Sequence, residues 1–397
     1  MTYSSSSAPG GKVAADNAQY TQAFGVPIKS VMMHRAKLTG LACGTFYTYS
    51  VGDGTADSPS LNFTTAPPVG PAAYPVRFIA YADMGISNSE NTAAMVSDFV
   101  NAGKASFVIH AGDIAYADNR ASIRNGTEYE DVLNQFYTEV SPYSQVVPYI
   151  SSSGNHEILG PAPGFATPNF LAYRSRMSPT LPWKAAGGSE FWYSWTHGPI
   201  TFVAFDIDQP YDAGSPQHAW LSTTLAGINR AVTPWVVAYS HFPMYCSNFF
   251  WCCTSPDCST GDSATFRRIY EPLFTAPESR VDVFISGHVH AAELIKPVQN
   301  FIVTDPSAPF DNVQSTIHLM TGFPGDVEVC CNQWMHPIPS WSAWRDDDVA
   351  SDGGNFGFSH WTILNNTHLH LTMFDSTNRT VLLEQTVSRV PPAALTA

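Results

Sequence analysis

The stretch IHAGDIAYAD, residues 109–118, begins as an apolar run, breaks off into Asp113 and carries a phenol at Tyr116 three residues later. Gly-Asp turns well, so a single strand that stops this way says nothing about function. The ending recurs four times. VRFIAYADMG (76–85) stops at Asp83, VVPYISSSGNHE (146–157) at Asn155, His156 and Glu157, WVVAYSHFPMY (235–245) at His241, and VDVFISGHVH (281–290) at His288 and His290. Each run is short and rich in Val, Ile, Phe and Tyr, the pattern of a strand buried on both faces. Each is followed at once by oxygen or imidazole donors. In open α/β sheets ligands bind beyond the carboxyl ends of the strands, so these five ends are expected to bring their donors to one edge.

Composition fits a large globular protein. The chain has 397 residues, of which 44% are hydrophobic and only 13% charged, well outside the composition of disordered chains. No apolar run approaches the roughly 20 residues that cross a bilayer. A net charge of −14 excludes the basic footprint of a nucleic-acid binder. It also means that an anionic substrate must be attracted by the site and not by the overall field. Nothing in the sequence sets an oligomeric state.

Residues 27–65 alternate as an all-β segment, and PPVGPAAYP (67–75) reads as a linker. Beyond it, strands alternate with amphipathic helices expected at 91–103, 128–140 and 215–230, the last with Pro216 in its first turn. Such alternation means βαβ crossovers. The tail from His360 to Val387 returns to β alternation. The expected division is therefore a small β segment over 1–70 and an α/β domain over 71–397.

The first residues lack the basic start and apolar core of a signal peptide, yet other features point to export. Four Asn-X-Ser/Thr sequons fall at Asn62, Asn125, Asn365 and Asn378. Of seven cysteines, Cys246, Cys252, Cys253 and Cys258 form one cluster, Cys330 and Cys331 another, with Cys43 apart. No paired Cys-X2-Cys spacing supports a zinc cluster. Disulfides between the two clusters are expected, and with them an oxidising compartment, secreted or vacuolar/lysosomal.

The blocks Asp83-x-Gly85, Gly112-Asp113-x-x-Tyr116, Gly154-Asn155-His156-Glu157, His241 and Gly287-His288-x-His290 resemble the five-block signature of the purple acid phosphatases, within the calcineurin-like metallophosphoesterases. The resemblance runs over about residues 75–390. It implies a β-sandwich flanked by helices around a βαβαβ core. The N-terminal segment resembles the second half of the fibronectin-III-like domain of plant and fungal members, with too few residues for a seven-stranded sandwich.

Seven donors are too many for one zinc, which takes four, and suit two metals sharing Asp113 as a bridge. Tyrosinate is a hard anionic oxygen that goes with Fe(III). Asp83, Tyr116 and His290 are thus expected at a ferric site, and Asn155, His241 and His288 at a site for Zn, Mn or Fe(II); the resemblance implies the same partition. Such a pair acidifies a shared water and clamps a phosphoryl group, and it puts local positive charge on an acidic protein. His156 has no metal role here and is expected to protonate the leaving alkoxide, with Glu157 as its partner. His110, His318, His368 and His370 read as core or surface residues, and RDDDVASDGG (345–354) as a solvated loop.

Ala238 stands where the family's Val-x-x-His block has its valine, a change of packing only. The sequence departs from the family more seriously after His241, where no further histidine occurs before His288. Phosphate contacts are then expected from Tyr245 or Asn248, or from His156 alone. The expected function is hydrolysis of small phosphate monoesters. Alternatives are a phosphodiesterase or phytase-like activity, and a non-catalytic glycoprotein, which would have no physical reason to keep all seven donors.

Overall fold

The computed structural model describes residues 1–23, 27–118, 127–158, 170–248, 252, 260–325, 333–346 and 355–390. Two large sheets dominate it. The first runs Tyr149–Ser152, Val108–Ala111, Val76–Tyr81, Gly357–Ile363, His368–Asp375, Thr380–Ser388. Its first three strands are parallel, and the C-terminal strands are added antiparallel as hairpins. The second runs Tyr193–His197, Ile200–Ala204, Trp235–Tyr239, Val283–Ser286, Ile317–Thr321, Ala292–Ile295, Ser342–Arg345, with four parallel strands between antiparallel edges.

The sheets pack face to face, and the period-2 rule accounts for the apolar runs. Phe202, Ala204, Trp235, Val237, Tyr239, Val283 and Ile285 point inward and share one core with Phe78, Ile79 and Trp361 of the first sheet. Their neighbours Val203, Phe205, Val236, Ala238 and Phe284 point outward, under the helices Pro216–Ala226 and Asp262–Thr275. A strand covered on both sides has no polar face, hence the unbroken hydrophobic stretches. The helix Glu90–Asn101 buries Ala93, Met95 and Val96 in the first core. Ser215 caps its helix by accepting from the His218 amide, with Pro216 at the first position.

Phe78 sits where the sheets meet, 5.1 Å from Phe107, 5.5 Å from Phe202 and 5.9 Å from Trp361, ring centre to ring centre. Phe78→Ala should cost about 3–5 kcal/mol, measured as a lowered midpoint in denaturant unfolding with an unchanged slope.

The N-terminal segment is β, as expected, and begins earlier than the alternation at 27. Thr2–Ser4 and Gly11–Lys12 join Phe46–Ser50 and Leu61–Thr64 in a four-stranded antiparallel sheet, with two small ladders beside it. Polar residues dominate the opening strands, which hides them from a hydrophobicity pattern. The segment contacts the α/β part through Tyr49, whose hydroxyl donates to the Gln145 carbonyl at 2.7 Å, and through Arg176 Nε, which donates to Tyr20 at 2.8 Å.

Cys246 and Cys252 are bonded to each other, Cα to Cα 6.1 Å apart. This corrects the expected pairing between clusters for these two residues, because six residues of chain suffice to bring both sulfurs together. Cys253, Cys258, Cys330 and Cys331 lie outside the described residues, as does Asn125. Cys43 is free and exposed. Among the described residues no helix is long and apolar enough to cross a membrane.

Candidate metal centre

The five donor-bearing strand ends meet at one place, though not along a single sheet. Asp83, Asp113 and Asn155 follow three parallel strands of the first sheet; His241 and His288 with His290 follow two of the second. The backbone knits the ends together. The Ala82 amide donates across the sheets to Thr321, Asp83 to Gly112 and Gly287 to His241, at 3.0, 3.1 and 2.8 Å.

Tyr116 Oη lies 2.6 Å from His290 Nε2, 3.0 Å from Asp83 Oδ1 and 3.4 Å from Asp113 Oδ2. His241 Nε2 lies 3.0 Å from Asp113 Oδ2 and 3.1 Å from Asn155 Oδ1, and His288 Nδ1 is 3.1 Å from the same Asn155 oxygen. The donor atoms of Asp113, His241 and His288 all fall within 4.8 Å of one another. All seven expected donors are thus gathered, and Asp113 touches both subsets. An ion that holds nitrogen or oxygen at about 2.1 Å has neighbouring ligands at right angles about 3 Å apart. The observed spacings fit that condition.

Charge points the same way. Asp83 and Asp113 are buried, and among the described residues their ion-pair partners are histidines. Burial pushes the Asp83 carboxyl up to about 6 despite His241 and His290 beside it. Burial also opposes ionisation of Asp113, but His241 and His156 hold it below the usual carboxylate range. His241 is raised to about 10: burial lowers it, and the Asp113 and Asp83 charges more than reverse this. Without metal the two buried carboxylates thus lean on histidine for positive charge, a role that bound cations would take over. His241 Nδ1 faces the Ala111 carbonyl at 3.1 Å. A carbonyl only accepts, so in the neutral ring Nδ1 carries the proton and Nε2 keeps its lone pair for a metal.

Four of these residues, Asp83, Asp113, Tyr116 and His288, have left-handed backbones, with φ of 62°, 50°, 52° and 69°. Such geometry costs about 1–3 kcal/mol per residue and clusters at functional sites. Tight glycine contacts help enforce it. A Cβ on Gly287 would overlap Ala82 Cβ and Asp83 Oδ2. Gly287→Ala should lower stability by about 1–3 kcal/mol and reduce bound iron, read by calorimetry and elemental analysis.

His156 lies beside the cluster, its Nε2 3.9 Å from Asp113 Oδ2 and its ring 4.4 Å from that of Tyr116. Its Nδ1 is 2.8 Å from Asp118 Oδ1, and 17% of the side chain is exposed. The expected partner Glu157 is engaged elsewhere, with the backbone amides of Asp113, Ile114 and Gly154. Asp118 stands in a loop where acids are common, so sequence alone does not single it out. Nor does it single out Asp206. It ends a sixth buried strand run, ITFVAFD, and accepts from Ser153 at 2.6 Å next to the Asn155 turn.

Tyr245 does not face the donors. Its hydroxyl donates to Glu271 and its ring packs on Phe301, His318 and Trp341, which argues against the expected phosphate contact. Asn248 is fully buried and bridges Trp334 through its backbone. His110 and His318 are core residues, and burial pushes each down to about 3.

The fold and the gathered donors define a metallophosphoesterase, and residues 76–292 match the calcineurin-like phosphoesterase family. Residues 315–384 match the iron/zinc purple acid phosphatase-like protein C family. A purple acid phosphatase from Glycine max is 31% identical over 86% of this chain and 68% of its own length. The Fe(3+)-Zn(2+) purple acid phosphatase 12 of Arabidopsis thaliana is 29% identical over 86% and 68%. A solved purple acid phosphatase from yellow lupin seeds shares the fold, with a TM-score of 0.75 at 20% identity over 98% of this chain and 69% of that one. The chain belongs to the purple acid phosphatase family.

Proposed function

We propose that the protein is an acid phosphatase that hydrolyses small phosphate monoesters at a dinuclear centre of Fe(III) and one divalent ion, Zn, Mn or Fe(II). The observation that carries this reading is the convergence of seven donors from two sheets, with Asp113 3.0 Å from His241 and 3.4 Å from Tyr116. Asp83, Tyr116 and His290 would hold the iron, Asn155, His241 and His288 the divalent ion, and Asp113 both. The named metals of the Arabidopsis relative support the pairing. Two cations held there would supply Lewis acidity, acidify water and offset charge on a phosphoryl group. His156 holds a proton at Nε2 for the leaving alkoxide, while Asp118 accepts from Nδ1 and fixes the ring. The partial exposure of the His156 side chain lets an ester oxygen approach it.

The division into a β segment over 1–70 and a catalytic domain over 71–397 is supported by the N-terminal sheet, whose strands all lie within residues 2–64. Secretion or delivery to a vacuole or lysosome is supported by the Cys246–Cys252 disulfide and by the exposure of Asn62, Asn365 and Asn378. A mass loss on endoglycosidase treatment would check these three sites together with Asn125.

The central test is elemental analysis with a visible spectrum, alongside assays on p-nitrophenyl phosphate, its bis ester and phytate. One iron and one divalent ion per chain, a tyrosinate-to-iron absorption band and preference for the monoester are expected. Faster turnover of the diester, or fewer than two metals, would overturn the reading.

A further inference from the structure

Glu157 ends the short turn Asn155–Glu157 and is buried. Among the described residues its carboxylate accepts hydrogen bonds from backbone amides alone. Oε2 accepts from the Gly154 amide at 2.8 Å and from the Asp113 amide at 3.0 Å, and Oε1 accepts from the Ile114 amide at 2.8 Å. One side chain thus ties together two loops that leave different strands. The exchange is reciprocal, because Asp113 Oδ1 accepts from the His156 amide at 2.8 Å. Gly154 presses so close that a Cβ there would overlap Asp113 Oδ1. Asp113 meanwhile keeps its left-handed φ of 50°, which a free loop would abandon.

We propose that Glu157 is a positioning residue for the phosphatase reaction: its three amide bonds hold Asp113 between the two metal subsites and Asn155 and His156 on either side of it. The proposal rests on the dinuclear reading given above. Without the carboxylate, three buried amides lose their acceptor, and the Asp113 and Asn155 loops are no longer locked in register. Metal donors would remain in the chain but be spread, and the divalent subsite depends most on them because Asn155 sits in the same turn as Glu157.

The test uses Glu157→Gln, which keeps the shape but presents an NH₂ group to amides that need acceptors, and Glu157→Asp, which keeps the charge and withdraws it by one methylene. Thr201→Val serves as a matched control. It removes a buried 2.8 Å bond to Thr233 at the opposite end of its strand and leaves the site intact. Zn²⁺ is titrated calorimetrically into each iron-loaded protein, and amide exchange is followed at Asp113 and Ile114. Glu157→Gln is expected to bind Zn²⁺ about 10–100-fold more weakly, the usual loss when a residue that orients ligands is changed. Its Asp113 and Ile114 amides should exchange faster, Glu157→Asp should fall between it and wild type, and Thr201→Val should bind as wild type. If Glu157→Gln does not fold, Glu157→Asp carries the test alone. Wild-type affinity in the Glu157 variants, or an equal loss in Thr201→Val, would overturn the positioning role. Failure of the wild-type protein to hold two metals would instead overturn the dinuclear reading beneath it.

Discussion

His241→Ala should empty the proposed divalent subsite, leave iron bound and cut monoester turnover by about 10³-fold or more. The size follows from the several kcal/mol of charge stabilisation that a metal contributes to phosphoryl transfer, at about 1.4 kcal/mol per decade of rate. The selectivity follows from geometry. Tyr116 contacts Asp83 and His290 directly, at 3.0 and 2.6 Å, and neither contact passes through His241. The imidazole, in contrast, sits 3.1 Å from Asn155 and 3.3 Å from His288, the other members of its subset. Elemental analysis should return one iron and little zinc or manganese, and the visible band should persist. Loss of both metals together would show that Asp113 cannot stay in place for iron alone, and the ligand partition would have to be redrawn.

The donors were legible in the sequence because each one interrupts a run that has no other reason to stop. VRFIAYAD is buried from Phe78 to Ala82 because both faces of that stretch are covered, so a carboxylate at its end must be satisfied by something other than solvent. The same property concealed the sheet membership of the strands. A strand buried on both faces reads alike in either layer of a sandwich, and nothing in WVVAYSH says that His241 approaches Asp113 from the opposing sheet. The three expected helices, found at Glu90–Asn101, Thr127–Ser144 and Pro216–Ala226, were readable to within a few residues. For the last, Ser215 and Pro216 mark a start independently of what the helix packs on, whereas Asp262–Thr275 was not read.

Side-chain direction past the strand ends was not legible. Tyr245 stands four residues after His241, and the intervening turn aims its phenol at Glu271 and away from the donors. Glu157 was expected on its neighbour His156, but adjacent residues in a tight turn diverge, and its carboxylate instead fills the hole beneath Asp113. Asp118 is the reverse case. Sequence shows only an acid in a loop, and the fold carries it to 2.8 Å from the His156 ring.

That contact sharpens the expectation for His156. His156→Ala should keep both metals, because Asn155 and not His156 stands among the donors, and should lose about 10²–10⁴ in turnover, the usual contribution of a general acid or base. The penalty should depend on the leaving group. p-Nitrophenolate departs with little need of a proton, whereas a sugar alkoxide needs one, so the variant should be far more impaired on a sugar phosphate. Asp118→Asn should show the same dependence in weaker form, since the ring stays but loses the carboxylate that fixes Nδ1. A histidine that merely braced Asp113 would behave otherwise: both substrates would slow by one common factor, and metal would be lost as well. Equal residual activity on the two esters would therefore end the general-acid assignment. No histidine follows His241 until His288, whose Nδ1 already faces Asn155 and His241. With no second histidine in the segment after His241 to take over the proton, the contrast between the two substrates should be steep.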